Sequence, residues 1–187
     1  MADILMFTDQ GFGFYENMRG TLTSLISKHD REDVPALEDY LKYSISNCNR
    51  LYWLSDQNGN LLAFLFVAWG RKLMLFDSNE LDSVFVGLSS VDPEHVGKGV
   101  IQKVYGRCQQ DIIDWEKREG TRLLLWATTF NRATYINATR LFPELEPDEH
   151  KDYTEYPRLA LEIAKAIRHL HYPRCESLSD NPFVLKG

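Results

Sequence analysis

A strand, a glycine-containing loop and a long helix that follow one another directly constrain the fold of this chain most. Ser83 to Val91 is apolar enough for a buried strand, and Gly87 interrupts it. The loop reads Val91-Asp-Pro-Glu-His-Val-Gly-Lys-Gly-Val100. Residues 99–119 then predict an amphipathic helix ended by Gly120, because apolar residues recur at steps of three and four: Val100, Ile101, Val104, Tyr105, Cys108, Ile112 and Trp115.

The loop and the start of this helix form an arrangement suited to anions. Gly97 and Gly99 allow the backbone to approach a phosphate closely. The first N–H groups of a helix have no partner inside the helix, and the helix dipole attracts negative charge to the same end. Lys98 adds a cation between the two glycines. The loop therefore predicts a phosphate site, although a glycine-rich turn without a ligand fits the same residues.

Hydrophobic periodicity predicts strands and helices on both sides of this segment. Before it we expect a strand at 3–7, helices over 12–28 and from Pro35, and strands at 51–55 and 61–69 joined by an Asn-Gly turn. The apolar run from Leu61 to Trp69 predicts a strand buried on both faces. After it we expect a strand at 122–126, helices over 132–142 and 156–171, and a short strand in the tail. This order predicts an α/β (α+β) fold with a mixed sheet and crossover connections.

Size and charge limit the classes of function. The chain has 187 residues, enough for one domain with a substantial core. Its formal net charge of −6 argues against binding to nucleic acid or to an anionic membrane. No apolar stretch is long enough to cross a membrane, and the N-terminus does not resemble a signal peptide. Three widely spaced cysteines fit a reducing compartment, and the five histidines form no metal-binding set. We therefore expect a cytoplasmic protein with no metal, no nucleic-acid partner and no membrane partner.

Two motifs resemble the GNAT superfamily of N-acyltransferases. The family's signature after its fourth strand commonly reads Val-Asp-Pro-Glu-His-Arg-Gly-Lys-Gly-Ile-Gly, and this chain has Val91-Asp-Pro-Glu-His-Val-Gly-Lys-Gly-Val-Ile101. A weaker resemblance lies in Asn131-Arg-Ala and Ala138-Thr-Arg-Leu-Phe-Pro-Glu-Leu145, which look like a helix of the family that ends Ala-x-Arg-Leu-Tyr-Glu-x-Leu-Gly. The order of elements over roughly residues 3–145 also agrees with the family. The resemblance implies one GNAT-like domain over residues 1–187, with a mostly antiparallel central sheet flanked by helices and a divergent part from about residue 146.

The same resemblance implies acetyl-CoA or another acyl-CoA as co-substrate and an amine, on a small molecule or a protein, as acceptor. The family binds the pantetheine arm through the backbone at the end of the fourth strand, here Ser89, Ser90 and Val91. It binds the pyrophosphate through the loop amides, here Val96, Gly97, Lys98, Gly99, Val100, Ile101 and Gln102. An asparagine near the cofactor would be Asn131.

Three positions depart from the family pattern. Val96 replaces an arginine or glutamine, and Ile101 replaces the second glycine or alanine. Phe142 stands where a tyrosine often protonates the leaving thiolate, and a phenyl ring has no proton to give. Transfer also needs a base for the amine, and the remaining acid–base candidates are Asp82 and Tyr135. A solvated loop acid and a core tyrosine are the simpler interpretations of these two residues.

The sequence leaves three hypotheses open. The first is an N-acyltransferase that transfers an acyl group directly from coenzyme A to an amine. The second is a non-catalytic GNAT-fold module for binding or interaction, and the third is an acyltransferase that uses acyl carrier protein. The identity of the acceptor, the acyl chain length and the oligomeric state, with a homodimer among the options, do not follow from the residues.

Overall fold

The computed structural model describes residues 4–8, 12–28, 34–74, 80–127 and 158–171, together with positions 136, 138 and 152. Its strands are β1 (Ile4–Thr8), β2 (Arg50–Ser55), β3 (Leu61–Met74), β4 (Glu80–Val91) and β5 (Leu124–Ala127). Its helices are α1 (Phe12–Ser27), α2 (Val34–Asn47), α3 (Val100–Glu119) and α4 (Arg158–His171), with a 3-10 turn at Pro93–His95. The predicted element order is confirmed over these residues. The predicted tail strand lies outside them, and so does the predicted helix over 132–142 except for the helical positions 136 and 138.

Contacts divide the chain into two compact units. The first comprises residues 1–71 and 83–128, and the second comprises residues 72–82 and 129–187. The loop after β4, residues 83–91 of that strand and helix α3 belong to the first unit. A single GNAT-like domain over residues 1–187 stays a prediction.

The strands form one sheet in the order β1-β2-β3-β4-β5. The pairs β1–β2 and β2–β3 are antiparallel. Residues 75–79 join β3 to β4, too few for a parallel crossover, so this neighbouring pair is antiparallel as well. Among the described strands, β4 and β5 alone pair in parallel, from Ser83 opposite Leu124 to Val86 opposite Ala127, and α3 is the crossover between them. The sheet is therefore mixed and mostly antiparallel, as the sequence predicts.

Helix α3 packs its apolar stripe on one face of this sheet. Its buried residues join a cluster with inward side chains from β2, β3 and β4: Tyr52, Leu54, Ala63, Leu65, Val67, Val84, Val86, Val100, Val104, Cys108 and Ile112. Each fully buried aliphatic side chain contributes about 1.5–3 kcal/mol by leaving water. The helix ends where Gly120, with φ of 68°, adopts the left-handed conformation and donates its amide to the Glu116 carbonyl.

Strand β3 is the most deeply buried element of the described chain. Leu61 and all residues from Ala63 to Ala68 are buried, which confirms the prediction of a strand covered on both faces. Ala63, Leu65 and Val67 face the α3 cluster, whereas Phe64 and Phe66 meet edge to face with ring centroids 5.8 Å apart. This strand provides the rigid base against which the phosphate loop is anchored.

The turn between β2 and β3 is organised by Asp56. Its Oδ1 accepts the amides of Asn58 and Asn60, each at 2.8 Å, and its Oδ2 accepts the Asn60 side chain at 2.8 Å. Gly59 has φ of 84°, which the Asn-Gly signal anticipates. These bonds, with the Asn60 side chain as the largest cause, lower the pKa of Asp56.

Candidate functional site

The loop after β4 begins with Asp92, which is only 6% exposed. Its Oδ1 accepts the Glu94 amide at 3.0 Å, and its carbonyl accepts the His95 amide at 2.8 Å. Its own amide donates to the Leu62 carbonyl of β3 at 2.7 Å. Pro93 starts the 3-10 turn, where the missing N–H costs nothing. The beginning of the loop is thereby fixed to the first residues of β3.

Two glycines give the loop its backbone course. Gly97 and Gly99 have φ of 78° and 73°, in the left-handed region that other residues rarely adopt. A Cβ at either position would meet no atom within 4 Å, so glycine is favoured by conformation rather than by crowding. Gly99 is the N-cap of α3 and makes no side-chain cap. No side chain of the N-cap residue therefore bonds the first amides of α3.

A row of amides in this loop is available to a ligand. The amides of Gly97, Gly99, Val100, Ile101 and Gln102 make no hydrogen bond to another described residue. The neighbouring amides are engaged, since Lys98 donates to His95 at 3.2 Å and Lys103 to Gly99 at 3.4 Å. Unpaired N–H groups at a helix start attract anions. The sequence predicted all the amides of residues 96–102 as donors to a ligand. Those of Val96 and Lys98 are instead bonded to the Pro93 and His95 carbonyls within the loop, and the other five remain available.

The charges around the free amides also favour an anion. Lys98 lies among them and Lys103 lies in the first turn of α3, and both side chains are exposed. Val96, which stands where the family has a cation or glutamine, is 59% exposed and adds no charge. The Ile101 side chain packs against the α3 core cluster. Its bulk is therefore directed to the core, and its amide remains one of the free donors.

The end of β4 departs from a regular pleat. Val84 and Val86 face the α3 cluster, and so does Val91. The Ser89 hydroxyl lies 3.0 Å from the hydroxyl of Tyr105 on α3. Because side chains alternate along a strand, the change from even to odd positions means that the pleat is interrupted between Val86 and Ser89.

Gly87 lies at this interruption for a steric reason. A Cβ at Gly87 would be 3.1 Å from the Cys48 sulfur and 3.2 Å from the Phe66 carbonyl oxygen. Both distances are tighter than ordinary contacts, so the strand approaches β3 and the end of α2 more closely than a larger residue allows. Glycine inside a strand allows such a close backbone approach. Ser89, Ser90 and Val91 follow it at the half-buried end of the strand.

Sequence reasoning assigned Tyr105 only to the core stripe of α3. In the structure its hydroxyl also holds Ser89, so one helical residue links the end of β4 to the helix that carries the free amides. Burial raises the pKa of Tyr105 above its ordinary value. Its place in the stripe, about one turn after the loop, was the only signal in the sequence.

The second residue that sequence reasoning missed is Lys28, which follows α1. Its ammonium lies 2.5 Å from Asp92 Oδ2. The hydrogen bond from Lys28 is the largest cause of a lowered pKa at Asp92 and, in return, of a raised pKa at Lys28. The Nδ1 atom of His95 is 3.8 Å from Asp92 Oδ1, too far for a hydrogen bond. Nothing in the local sequence connects Lys28 with a loop 64 residues away.

The acid–base candidates are only partly described. Asp82 is the third residue of β4 and forms an ion pair with Lys72 at 2.5 Å within the second unit. Tyr135, Asn131 and Phe142 lie outside the described residues, and their proposed roles stay predictions. Among the residues that the structure describes, no three potential metal ligands form a group. No helix within the described ranges is long and apolar enough to span a membrane.

Similarity to known proteins is confined to backbone structure, since no family model and no curated protein matches the sequence. Among solved structures, a ribosomal-protein-alanine N-acetyltransferase from Brucella melitensis biovar Abortus 2308 is 14% identical, with a TM-score of 0.47 over 81% of this chain and 98% of that one. A putative acetyltransferase from Pyrococcus horikoshii is 15% identical, with a TM-score of 0.49 over 81% and 94%. A GCN5-related N-acetyltransferase from Ralstonia eutropha JMP134 is 12% identical, with a TM-score of 0.47 over 81% and 97%. Likeness at this level identifies neither an activity nor a substrate.

The topology of the chain itself matches what the sequence resemblance implies. The first four strands lie in sequence order, the fifth pairs in parallel with the fourth, and a glycine loop leads from the fourth strand into the crossover helix. The pleat of the fourth strand is interrupted just before that loop. The described chain is therefore a mixed, mostly antiparallel sheet flanked by helices, which is the architecture that the resemblance implies.

Proposed function

We propose that this protein is an N-acyltransferase that transfers an acyl group from acyl-coenzyme A to an amine. The observation that carries the proposal is the row of free amides at Gly97 and at residues 99–102. Unpaired donors at the start of a 20-residue helix provide an anion site without any side-chain contribution. The pyrophosphate of coenzyme A is an anion whose oxygens suit such a row.

Each part of the site has a distinct task in this proposal. The free amides and Lys98 bind the pyrophosphate, and the backbone from Ser89 to Val91 binds the pantetheine arm. The Ser89–Tyr105 contact holds the end of β4 in place against α3. Such positioning lowers the entropic cost of bringing donor and acceptor together. Coenzyme A supplies the acyl group as a thioester, which an amine attacks directly.

The proton transfers need two further groups. The attacking amine must lose a proton and the departing thiolate must gain one. Asp82 and Tyr135 are the candidates that the sequence offers for these tasks. The Lys72 ion pair is an argument against Asp82 as the base, because the carboxylate is already engaged by a cation. The variant Asp82→Asn tests whether this residue is the base. Loss of turnover with unchanged coenzyme A affinity supports that role, whereas unchanged turnover excludes it.

Binding is the first test. Acetyl-CoA, longer acyl-CoA and free coenzyme A should release or absorb heat in isothermal titration calorimetry at millimolar ligand or below. The same ligands should raise the Tm in a thermal unfolding measurement. Lys98→Glu should weaken binding about tenfold or more, because it replaces a cation beside the free amides by an anion. Lys117→Glu is the matched control, since it makes the same charge change in the last turn of α3. Absence of binding by the wild-type protein contradicts the proposal.

Turnover is the second test and separates the alternatives. A panel of small-molecule and peptide amines with acetyl-CoA and longer acyl-CoA should reveal acyl transfer that Lys98→Glu reduces. Binding without transfer to any amine would favour a non-catalytic module of this fold. Preference for acyl carrier protein over the matching acyl-CoA would favour the third hypothesis.

A further inference from the structure

The ion pair between Lys28 and Asp92 links two distant parts of the first unit. Lys28 follows the last residue of α1, and its amide donates to the Leu25 carbonyl at 3.3 Å. Its ammonium reaches Asp92 Oδ2 at 2.5 Å, across 64 positions of sequence. The end of α1 is therefore tied directly to the first residue of the phosphate loop.

Asp92 is well placed to transmit this contact to the loop. Its two carboxylate oxygens have different tasks, since Oδ2 accepts from Lys28 and Oδ1 accepts the amide of Glu94 at 3.0 Å. Its main chain is bonded to Leu62 and His95. A rotation of this one side chain would release the 3-10 turn from its cap, and the first free amide, that of Gly97, follows the turn by two residues.

The Lys28–Asp92 pair also compensates the negative charge of Asp92. Asp92 places a buried negative charge at the entrance of a site built for an anion, where it would repel a phosphate. Burial leaves water less able to screen that charge. Lys28 supplies the compensating charge from outside the loop, so that the amides and Lys98 face the ligand without opposition from Asp92.

Lys28 does not act as an ordinary surface ion pair. Exposed pairs contribute little, because water and salt screen them and two long side chains lose freedom. Here the Lys28 side chain is 52% exposed, but the Asp92 side chain is only 9% exposed. Removing the lysine would leave a buried carboxylate without its cation, and the loop must then reorganise to hydrate it.

We propose that Lys28 is a positioning residue of the phosphate loop, which through Asp92 holds the loop amides in their anion-binding arrangement and neutralises the carboxylate beside them. This inference rests on the proposed function, because it assigns Lys28 a part in coenzyme A affinity. It also makes a claim about the ligand-free protein that can be measured separately.

The test compares the full-length wild type with Lys28→Met, which keeps most of the stem and removes the charge, and with Lys28→Arg, which keeps the charge. Lys42→Met is the matched control, because Lys42 is 50% exposed and pairs with Asp39 at 3.1 Å in the same unit. Hydrogen exchange of the Glu94 and His95 amides is measured in the free protein. Coenzyme A affinity is measured by calorimetry.

Lys28→Met should speed exchange at both amides and weaken coenzyme A binding about three- to tenfold, while Lys42→Met changes neither. Lys28→Arg should restore most of both. Unchanged exchange in Lys28→Met overturns the positioning role, and so does faster exchange with unchanged affinity. If wild-type protein binds no coenzyme A, the proposed function and the role of Lys28 in affinity both fail, and the exchange rates alone then show whether Lys28 holds the loop.

Discussion

Two turns in the first unit are each organised by an aspartate, but they differ in how many of the neighbouring backbone amides are hydrogen-bonded. Asp56 binds the amides of Asn58 and Asn60 and the side chain of Asn60, all within its own turn. Asp92 binds one local amide and one distant lysine. The turn of Asp56 is closed on itself, whereas the turn of Asp92 leads into amides that no described residue uses.

The difference separates a connecting turn from a binding loop. A hairpin turn needs only to satisfy its own hydrogen-bond donors, and one carboxylate can accept them all within a turn of four or five residues. A binding loop must keep donors unpaired and still hold one conformation. The loop after β4 meets this demand by anchoring its first residue to β3 and to Lys28, so that order at its start compensates for open donors at its end.

The largest effect is expected from Asp92→Ala. It removes the acceptor of the Glu94 amide and the partner of Lys28, and a lost N-terminal cap costs about 1–2 kcal/mol. Chemical denaturation should show this loss, and calorimetry should show weakened coenzyme A binding. Native-like stability and affinity in Asp92→Ala would mean that the loop does not depend on its first residue.

Replacing the left-handed glycines should come next. Gly99→Ala and Gly59→Ala each force a side chain into a φ near 73° and 84°, at about 1–2 kcal/mol. Because neither Cβ meets a neighbour within 4 Å, the stability losses should be similar. Only Gly99→Ala should weaken coenzyme A binding. Equal effects of the two variants on affinity would contradict the distinction between the turns.

Asp56→Ala should have a smaller effect on stability than Asp92→Ala. Asn58 and Asn60 are exposed, so water can replace the bonds that the carboxylate makes. Thermal unfolding should show a modest decrease in Tm, and coenzyme A affinity should not change. A larger decrease in Tm than in Asp92→Ala would reverse the ranking.

The smallest effect is the pH dependence of the Lys28–Asp92 pair. Asp92 has a lowered pKa in the folded protein, mainly through its bond from Lys28. The pair therefore stabilises the fold above the ordinary aspartate value of about 3.9, and this contribution is lost as the pH falls through the lowered value. Wild type should exceed Lys28→Met in stability near pH 6, and the difference should shrink in acid. A difference that grows in acid would contradict the assignment.

Much of the candidate site could be predicted because its determinants are local. Gly97 and Gly99 adopt the left-handed conformation that glycine favours over all other residues, and the spacing of the apolar residues predicts the buried stripe of α3. The same spacing places Ile101 in this stripe, and its side chain packs against the α3 core cluster as predicted.

By itself, the sequence determined the glycine loop, the long helix and the buried run of β3, because backbone conformation and hydrophobic period are properties of neighbouring residues. The tertiary structure alone decided that Lys28 meets Asp92, that Tyr105 holds Ser89 and that Gly87 meets Cys48. These pairs lie 64, 16 and 39 positions apart. Contacts across such distances depend on how helices pack on the sheet, which no local pattern specifies.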